Sequence, residues 1–215
     1  MSSVDPVVRR RPTQQRSRTR FEGILEAASE LIAERGLEPT SMTDIANRSG
    51  MGLTALYRYF PNKRSIVREL ALRTFDDAQS LIGAAAEDET ELAPMIDRGV
   101  RQYWRMHREQ PFRGQLRAAI HADAELTALD LDDSRRNAHA MARTTGQLTG
   151  RTDLENLERQ ILLMIELLDS LMRLVVNVDE AEAEPLVAEF VQLFVDALSP
   201  SDGQRAAEVT PPRSG

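Results

Sequence analysis

Residues 40–63 read TSMTDIANRSGMGLTALYRYFPNK, and their punctuation decides the fold. Ser41 and Asp44 stand in the S-x-x-D arrangement, in which the hydroxyl caps the start of a helix and the carboxylate returns a bond to the cap's own N–H. Ile45 and Ala46 then face inward, and Gly50 supplies the left-handed residue that stops the helix. After Met51 and Gly52 a second helix is predicted from about Leu53 to Phe60, where Pro61 forbids continuation. Leu56 and Phe60, four apart, form its inward face, while Leu53, Thr54, Ala55 and Arg58 are small or reach outward. Tyr57 and Tyr59 flank that outer face with hydroxyls able to donate to phosphate oxygens. Asn62 caps a third helix, which puts Lys63 at an N-terminus already favourable to an anion. Two short helices joined by a glycine-containing turn make a helix-turn-helix, whose second helix lies in the major groove of DNA.

The run GLEPTSMTDIANRSGMGLTALYRYFPNKRSI, residues 36–66, resembles the tetracycline-repressor-like (TetR) family of bacterial transcription regulators. Gly36, Thr40-Ser41, Asp44-Ile45-Ala46, Gly50, Leu56-Tyr57, Phe60 and Asn62-Lys63 fall as that family's pattern places them. The resemblance implies that Tyr57 and Lys63 hold phosphates and that the early residues of the reading helix touch bases. The full set of expected DNA contacts is Thr40, Ser41, Thr43, Leu53, Thr54, Ala55, Tyr57, Arg58, Tyr59 and Lys63. Gly52 stands where the family often has Ser or Thr, so the reading helix has a weaker cap.

Working outward, residues 1–12 show no periodicity and carry Arg9-Arg10-Arg11-Pro12, a flexible basic arm that is either a solvated tail or a groove and phosphate contact. A helix-turn-helix domain is expected over 13–62. Its first helix starts after Thr13 and ends before Gly36, with Phe21, Ile24, Leu25, Ala28, Leu31 and Ile32 at helical spacing and Glu22, Glu26, Glu30 and Glu34 on another face. A connecting helix is expected over 63–86, running unbroken to about Gly83 or shortly after, and a small acidic link leads on to Thr90.

Residues 87–199 read as a larger helical bundle with no strand alternation. One helix carries Leu92 to His107 and stops at Gln110-Pro111, a shorter one follows from Phe112, and another is marked from Ser134 to Leu148. The two most apolar helices are expected from about Leu154 to Val178 and from Glu184-Pro185 to Leu198. Residues 200–215 lack apolar spacing, and disorder is expected there. The fold class is therefore all-α, a three-helix DNA-reading domain followed by a helical bundle.

Both apolar helices have more than one apolar face. Either both are buried inside one chain, or the pair meets its copy in a four-helix interface, as the family resemblance implies; Leu163, Leu167, Leu174, Phe190 and Phe194 are the candidate dimer residues. A dimer suits half-sites about 34–36 Å apart. Tyr103, Trp104, His107 and Phe112 cluster around one helix end, with Met141 and Met164 available nearby; they are either core or, in the effector-binding domain the resemblance implies, the lining for a small hydrophobic or aromatic effector.

Charge divides by region. Residues 1–75 hold 13 Lys or Arg and 8 Asp or Glu, a balance of +5, and the remainder carries −12, which together give the chain's −7. The basic part contains the motif and can attract phosphate. There are no cysteines, residues 1–20 show no apolar run of signal length, and the most apolar stretch is interrupted by Glu166, Asp169 and Arg173. A cytoplasmic protein with no membrane partner is expected. His107, His121 and His139 lack metal-ligand spacing, and no phosphate loop, nucleophile motif or distinctive carboxylate pair occurs, so no metal, cofactor or catalytic residue is expected. The reading is a homodimeric repressor released from double-stranded operator DNA by an effector. Its rivals are a regulator without an effector, an activator and, more remotely, an enzyme on a helical scaffold.

Overall fold

The structure, a computed structural model, describes residues 15–87 and 89–200, which form nine helices and no strand. They are α1 (Gln15–Arg35), α2 (Met42–Arg48), α3 (Leu53–Tyr59), α4 (Lys63–Glu87), α5 (Leu92–Glu109), α6 (Phe112–Ala122), α7 (Ala124–Thr149), α8 (Leu154–Val175) and α9 (Glu180–Leu198). The expected arm, 1–12, and the tail from residue 201 lie outside the described residues. No described helix is long and apolar enough to cross a membrane.

The helices form two compact units. The first holds the described residues through Asp77 together with Glu109–Asp130, and the second holds Ala78–Arg108 with the described residues from Leu131. This differs from the expected division at residues 62 and 86. In the first unit, Phe21, Ile24, Leu25, Leu31 and Ile32 of α1 pack with Ile45 of α2, Leu56 and Phe60 of the reading segment and Leu70 of α4. Leu116 and Ile120 of α6 and Leu126 of α7 belong to the same core, because α6 presents its apolar stripe to α1. In the second unit, Met95, Ile96, Val100 and Trp104 of α5 pack with Ala138 and Ala142 of α7, Leu157, Ile161 and Met172 of α8 and Val187, Phe190 and Phe194 of α9. There α8 and α9 lie against one another, and α7 comes so close to the next segment that a Cβ on Gly146 would stand 2.8 Å from Leu154 Cδ2 and 2.9 Å from the Arg151 carbonyl.

Several boundaries differ from expectation, each for a local reason. α4 runs through Gly83 to Glu87, one residue past the expected 86; one glycine costs a helix interior only about 1 kcal/mol. α7 starts at Ala124 rather than near Ser134, because Asp123 Oδ1 accepts from the N–H groups of Glu125 (3.0 Å) and Leu126 (3.1 Å) and so caps it. α8 ends at Val175, before Val178. α9 starts at Glu180, where Asp179 Oδ1 accepts from Glu182 N–H at 3.0 Å, and Pro185 lies inside the helix instead of opening it. The helix there forgoes the bond that residue 185 would have donated.

Candidate nucleic-acid interface

The reading segment is built from short-range bonds. Ser41 Oγ accepts from Asp44 N–H at 3.2 Å and Asp44 Oδ2 accepts from Ser41 N–H at 2.9 Å, so the capping box is complete. The Ser41 hydroxyl and backbone N–H, donating to Asp44, hold its carboxyl below the ordinary value, with Arg35 at 2.7 Å adding to the effect. Gly50, at φ 65°, turns the chain, and Met51 N–H closes on the Ala46 carbonyl at 2.9 Å. α3 then begins at Gly52 with no side-chain cap. At the far end Asn62 Oδ1 accepts from Ser65 N–H at 2.8 Å and caps α4.

This scaffold sorts the sequence-derived contacts. Leu53, Thr54, Tyr57 and Arg58 are exposed on one outward face of α3, with Tyr57 at 43% exposure; Ala55 is half-buried. Leu56 and Phe60 are fully buried, and the Phe21 and Phe60 rings stack at 5.0 Å. Ser41 and Thr43 are exposed at the start of α2. Thr40 is not an available contact: it is 1% exposed and its hydroxyl donates to the Gly36 carbonyl at 2.8 Å, closing the loop after α1. Tyr59 also departs from expectation. Its ring packs against the core 6.5 Å from Phe21, and its hydroxyl lies 3.2 Å from Ser17 Oγ, because the position before Phe60 turns back toward α1.

Lys63 Nζ donates to the carbonyls of Leu37 (3.0 Å) and Glu38 (3.1 Å), so it staples the loop between α1 and α2 to the start of α4. An ammonium has three donors, and this geometry leaves one for a phosphate. Two arginine clusters lie beyond the reach of the sequence reading. Arg48, in the last turn of α2, is bidentate to Glu34 (2.8 and 2.7 Å) and also reaches Glu30 (3.1 Å), and these carboxylates raise its already high pKa. Arg64 pairs with Asp123 (2.7 and 3.0 Å) and Glu125 (3.2 Å), which ties α4 to the corner between α6 and α7. Its guanidinium is the main reason the Asp123 carboxyl falls to about 2. The only sequence signal for either cluster is an arginine with acidic residues far along the chain.

The expected effector residues are only partly brought together. Tyr103, Trp104, Met141 and Met164 belong to or pack against the second unit's core. Tyr103 donates its hydroxyl to Asp169 Oδ1 at 2.9 Å, and the His107 ring sits 4.4 Å from the Tyr103 ring. Trp104 is buried, the Arg108 guanidinium lies 5.6 Å from the centroid of its ring, and its Nε1 has no hydrogen-bond partner among the described residues. Phe112 is not part of this group, since it opens α6 and packs in the first unit's core. The dimer candidates divide in the same way. Leu163 (63%), Leu167 (52%) and Leu174 (49%) are exposed along α8, and Leu193 of α9 is exposed too, whereas Phe190 (8%) and Phe194 (3%) fill the protomer's own core because they occupy the face of α9 that carries Ala183, Val187 and Leu198.

The amino-acid sequence matches two family patterns. Residues 24–70 match "Bacterial regulatory proteins, tetR family", and residues 90–201 match "Tetracyclin repressor-like, C-terminal domain". The HTH-type transcriptional regulator TtgR of Pseudomonas putida is 27% identical over 180 residues, 76% of this chain and 83% of that protein. The probable HTH-type transcriptional regulator ArpR, also of Pseudomonas putida, is 34% identical over 86 residues, 40% of each chain, so that match spans about two fifths of the relative's length. The HTH-type transcriptional repressor KstR2 of Rhodococcus jostii is 41% identical over 54 residues, 25% of this chain and 26% of that one. Among solved structures, a TetR-family transcriptional regulator from Streptomyces coelicolor superposes with a TM-score of 0.63 at 23% identity, covering 83% of this chain and 97% of that one. The fatty acid degradation regulator FadR from Bacillus halodurans gives 0.62 at 17% identity, covering 86% and 97%. At such identities the two structures speak for the fold alone.

Proposed function

Given that the chain belongs to the TetR family of bacterial transcription regulators, DNA-binding helix-turn-helix proteins, we propose that it acts in the cytoplasm as a homodimeric repressor released from its operator by a small molecule. The outward face of α3 carries the reading. Leu53, Thr54, Tyr57 and Arg58 project from a helix whose other side is locked by Leu56 and Phe60, so the face is presented rigidly. Thr54 and Arg58 read base edges, Tyr57 and Lys63 hold phosphate, and Ser41 and Thr43 lie at the start of the supporting helix. The exposed leucines of α8 and α9 support pairing of two copies, since surface leucines in a row gain by burial against their own image.

Tyr103, Trp104, His107, Met141 and Met164 form the effector site in this reading. The buried Trp104 Nε1, which has no hydrogen-bond partner among the described residues, and the Asp169 carboxylate beside Tyr103 supply polar groups in an apolar setting. An effector acts only by its differential affinity for the two states of the dimer. Coupling of the usual size weakens operator affinity about 5–150-fold, and operator weakens effector binding by the same factor. Footprinting upstream of the protein's own and neighbouring genes tests the reading directly. A protected two-fold site, lost in Arg58→Ala and released by a metabolite that also alters Trp104 fluorescence, supports it. Protection that no metabolite releases points to a regulator without an effector, and activated transcription from the protected promoter points to an activator.

A further inference from the structure

The start of α1 runs against the charge preferences that the rest of the helix keeps. It carries Arg16, Arg18 and Arg20 with no acidic residue in the first turn, while Glu22, Glu26, Glu30 and Glu34 follow further on. Cations at the N-terminus of a helix oppose its dipole, and like charges one turn apart, as at Arg16 and Arg20, repel. The neighbouring sequence does not neutralise them, since residues 6–21 contain six arginines and no Asp or Glu. Other arginines of this unit are matched, Arg35 by Asp44, Arg48 by Glu34, Arg64 by Asp123 and Arg73 by Glu22. Arg18 lies near Glu22, whose carboxyl is held below its ordinary value mainly by Arg73 and to a lesser extent by Arg18. Arg16 and Arg20 are exposed, and no carboxylate among the described residues pairs with either.

The same end of α1 is tied to the reading helix. Ser17 Oγ stands 3.2 Å from Tyr59 Oη, and the Phe21 ring packs on those of Tyr59 and Phe60 at 6.5 and 5.0 Å. These contacts fix the turn from Arg16 to Arg20 beside the last turn of α3, which also carries Arg58. A cationic patch that costs the fold, is unmatched among the described residues and is continuous with the outward face of α3 fits a polyanion. We infer that Arg16 and Arg20 clamp the phosphate backbone of duplex DNA next to the bases read by α3, with the Ser17 and Tyr59 hydroxyls as the positioning contact. The placement rests on the proposed reading face of α3. A guanidinium suits the task because it meets a phosphate through two parallel N–H···O bonds. Such a clamp carries no sequence information, so it holds the protein on any duplex and leaves Thr54 and Arg58 to choose among sites.

The test is a salt titration of binding by the full chain to a labelled random-sequence duplex and to the footprinted site. Arg16→Gln with Arg20→Gln lowers the salt slope by about two units per copy bound, so the parent's advantage shrinks about twelvefold between about 50 and about 200 mM salt. Specific and random duplexes lose alike, Arg16→Lys with Arg20→Lys restores the slope, and the Gln chain melts no lower than the parent. Arg105→Gln, an exposed arginine of the second unit, leaves the slope unchanged. Ser17→Ala and Tyr59→Phe each weaken binding about threefold, together no more than singly, and neither has an effect once Arg16 and Arg20 are Gln. The parent's slope in the Gln chain, no recovery with Lys, an equal loss in Arg105→Gln or a lowered melting temperature each overturns the clamp. A silent Ser17→Ala beside a weakened Tyr59→Phe overturns the positioning contact. Arg58→Ala reports on the reading face separately: lost preference there with an unchanged slope in the Gln chain rejects the clamp and leaves the reading, whereas a parent without sequence preference rejects the reading while the random duplex still decides the clamp.

Discussion

Replacing Leu167 separates dimer contact from protomer core. Leu167 keeps 52% of its surface exposed in the single chain, so about half of its burial energy is still to be gained on pairing. Burying a whole leucine side chain is worth about 1.5–3 kcal/mol, so the half left over is about 0.8–1.5 kcal/mol per copy. A two-fold interface counts each substitution twice, so Leu167→Ala weakens the dimer by about 1.5–3 kcal/mol, or about 10- to 150-fold in the dimer dissociation constant. Leu167→Arg adds the cost of a poorly solvated charge meeting its own image and yields monomer at micromolar concentration. Sedimentation velocity over a concentration series reads the constant, and a thermal melt checks that the protomer still folds, as a surface substitution should allow. Phe194→Ala is the contrasting variant: at 3% exposure it belongs to the core and costs about 3–5 kcal/mol of fold stability. If Leu167→Ala and Leu167→Arg both stay dimeric with the parent's constant, the α8 stripe is not the interface. If either instead unfolds the protomer as Phe194→Ala does, the exposure argument fails.

Lys63→Ala is expected to weaken specific and non-specific DNA binding alike and to lower the salt slope by about one unit. It also lowers the melting temperature, because the Leu37 and Glu38 carbonyls lose their donor; an unchanged slope with a lowered melt leaves Lys63 a staple only. Arg58→Ala and Thr54→Val shift preference among operator variants, by about 1–3 kcal/mol for each lost good base contact, as measured by competition binding. The carboxyl of Asp123 is depressed to about 2 from its ordinary 3.8, so its contribution to stability is complete above the ordinary value and is lost as pH falls toward the folded value. Asp123→Asn flattens the stability curve between about pH 4 and 2 when followed by urea denaturation, and an unaltered slope there removes the Arg64 pair from the account. Gly146→Ala forces a methyl against Leu154 and the Arg151 carbonyl, and calorimetry should show a loss of about 1–3 kcal/mol.

What the sequence makes legible here is what bonds within a few residues. The capping box of Ser41 and Asp44, the turn at Gly50, the pairing of Leu56 with Phe60 and the cap at Asn62 all involve partners no more than about one helical turn apart, so residue type and spacing suffice. Spacing misplaces Thr40 and Tyr59 because their partners, the Gly36 carbonyl and Ser17 Oγ, depend on how the loop and α1 fold back. The bonds from Arg48 to Glu30 and Glu34, and from Arg64 to Asp123, span stretches of chain whose closeness is set by packing alone. On α9 both faces are apolar, and periodicity gives the faces without saying which one meets the protomer's own core; the packing of Val187, Phe190 and Phe194 with Leu157 and Ile161 decides it. Phe112 stands eight positions from Trp104 and reads as its neighbour, yet the turn at Pro111 sends it to the other core.

Lys63 is the only lysine in the chain, every other basic side chain being arginine or histidine. Reagents that acylate lysine side chains therefore have a single target, and it is half-buried with two of its protons committed to carbonyl oxygens. An amine held in this way reacts only when the loop after α1 lifts away from α4. The acylation rate of one residue, read by mass spectrometry on the proteolytic peptide that contains Lys63, thus becomes a clock for local opening beneath the reading helix, and slowing of that clock by bound operator measures how far DNA closes the same loop.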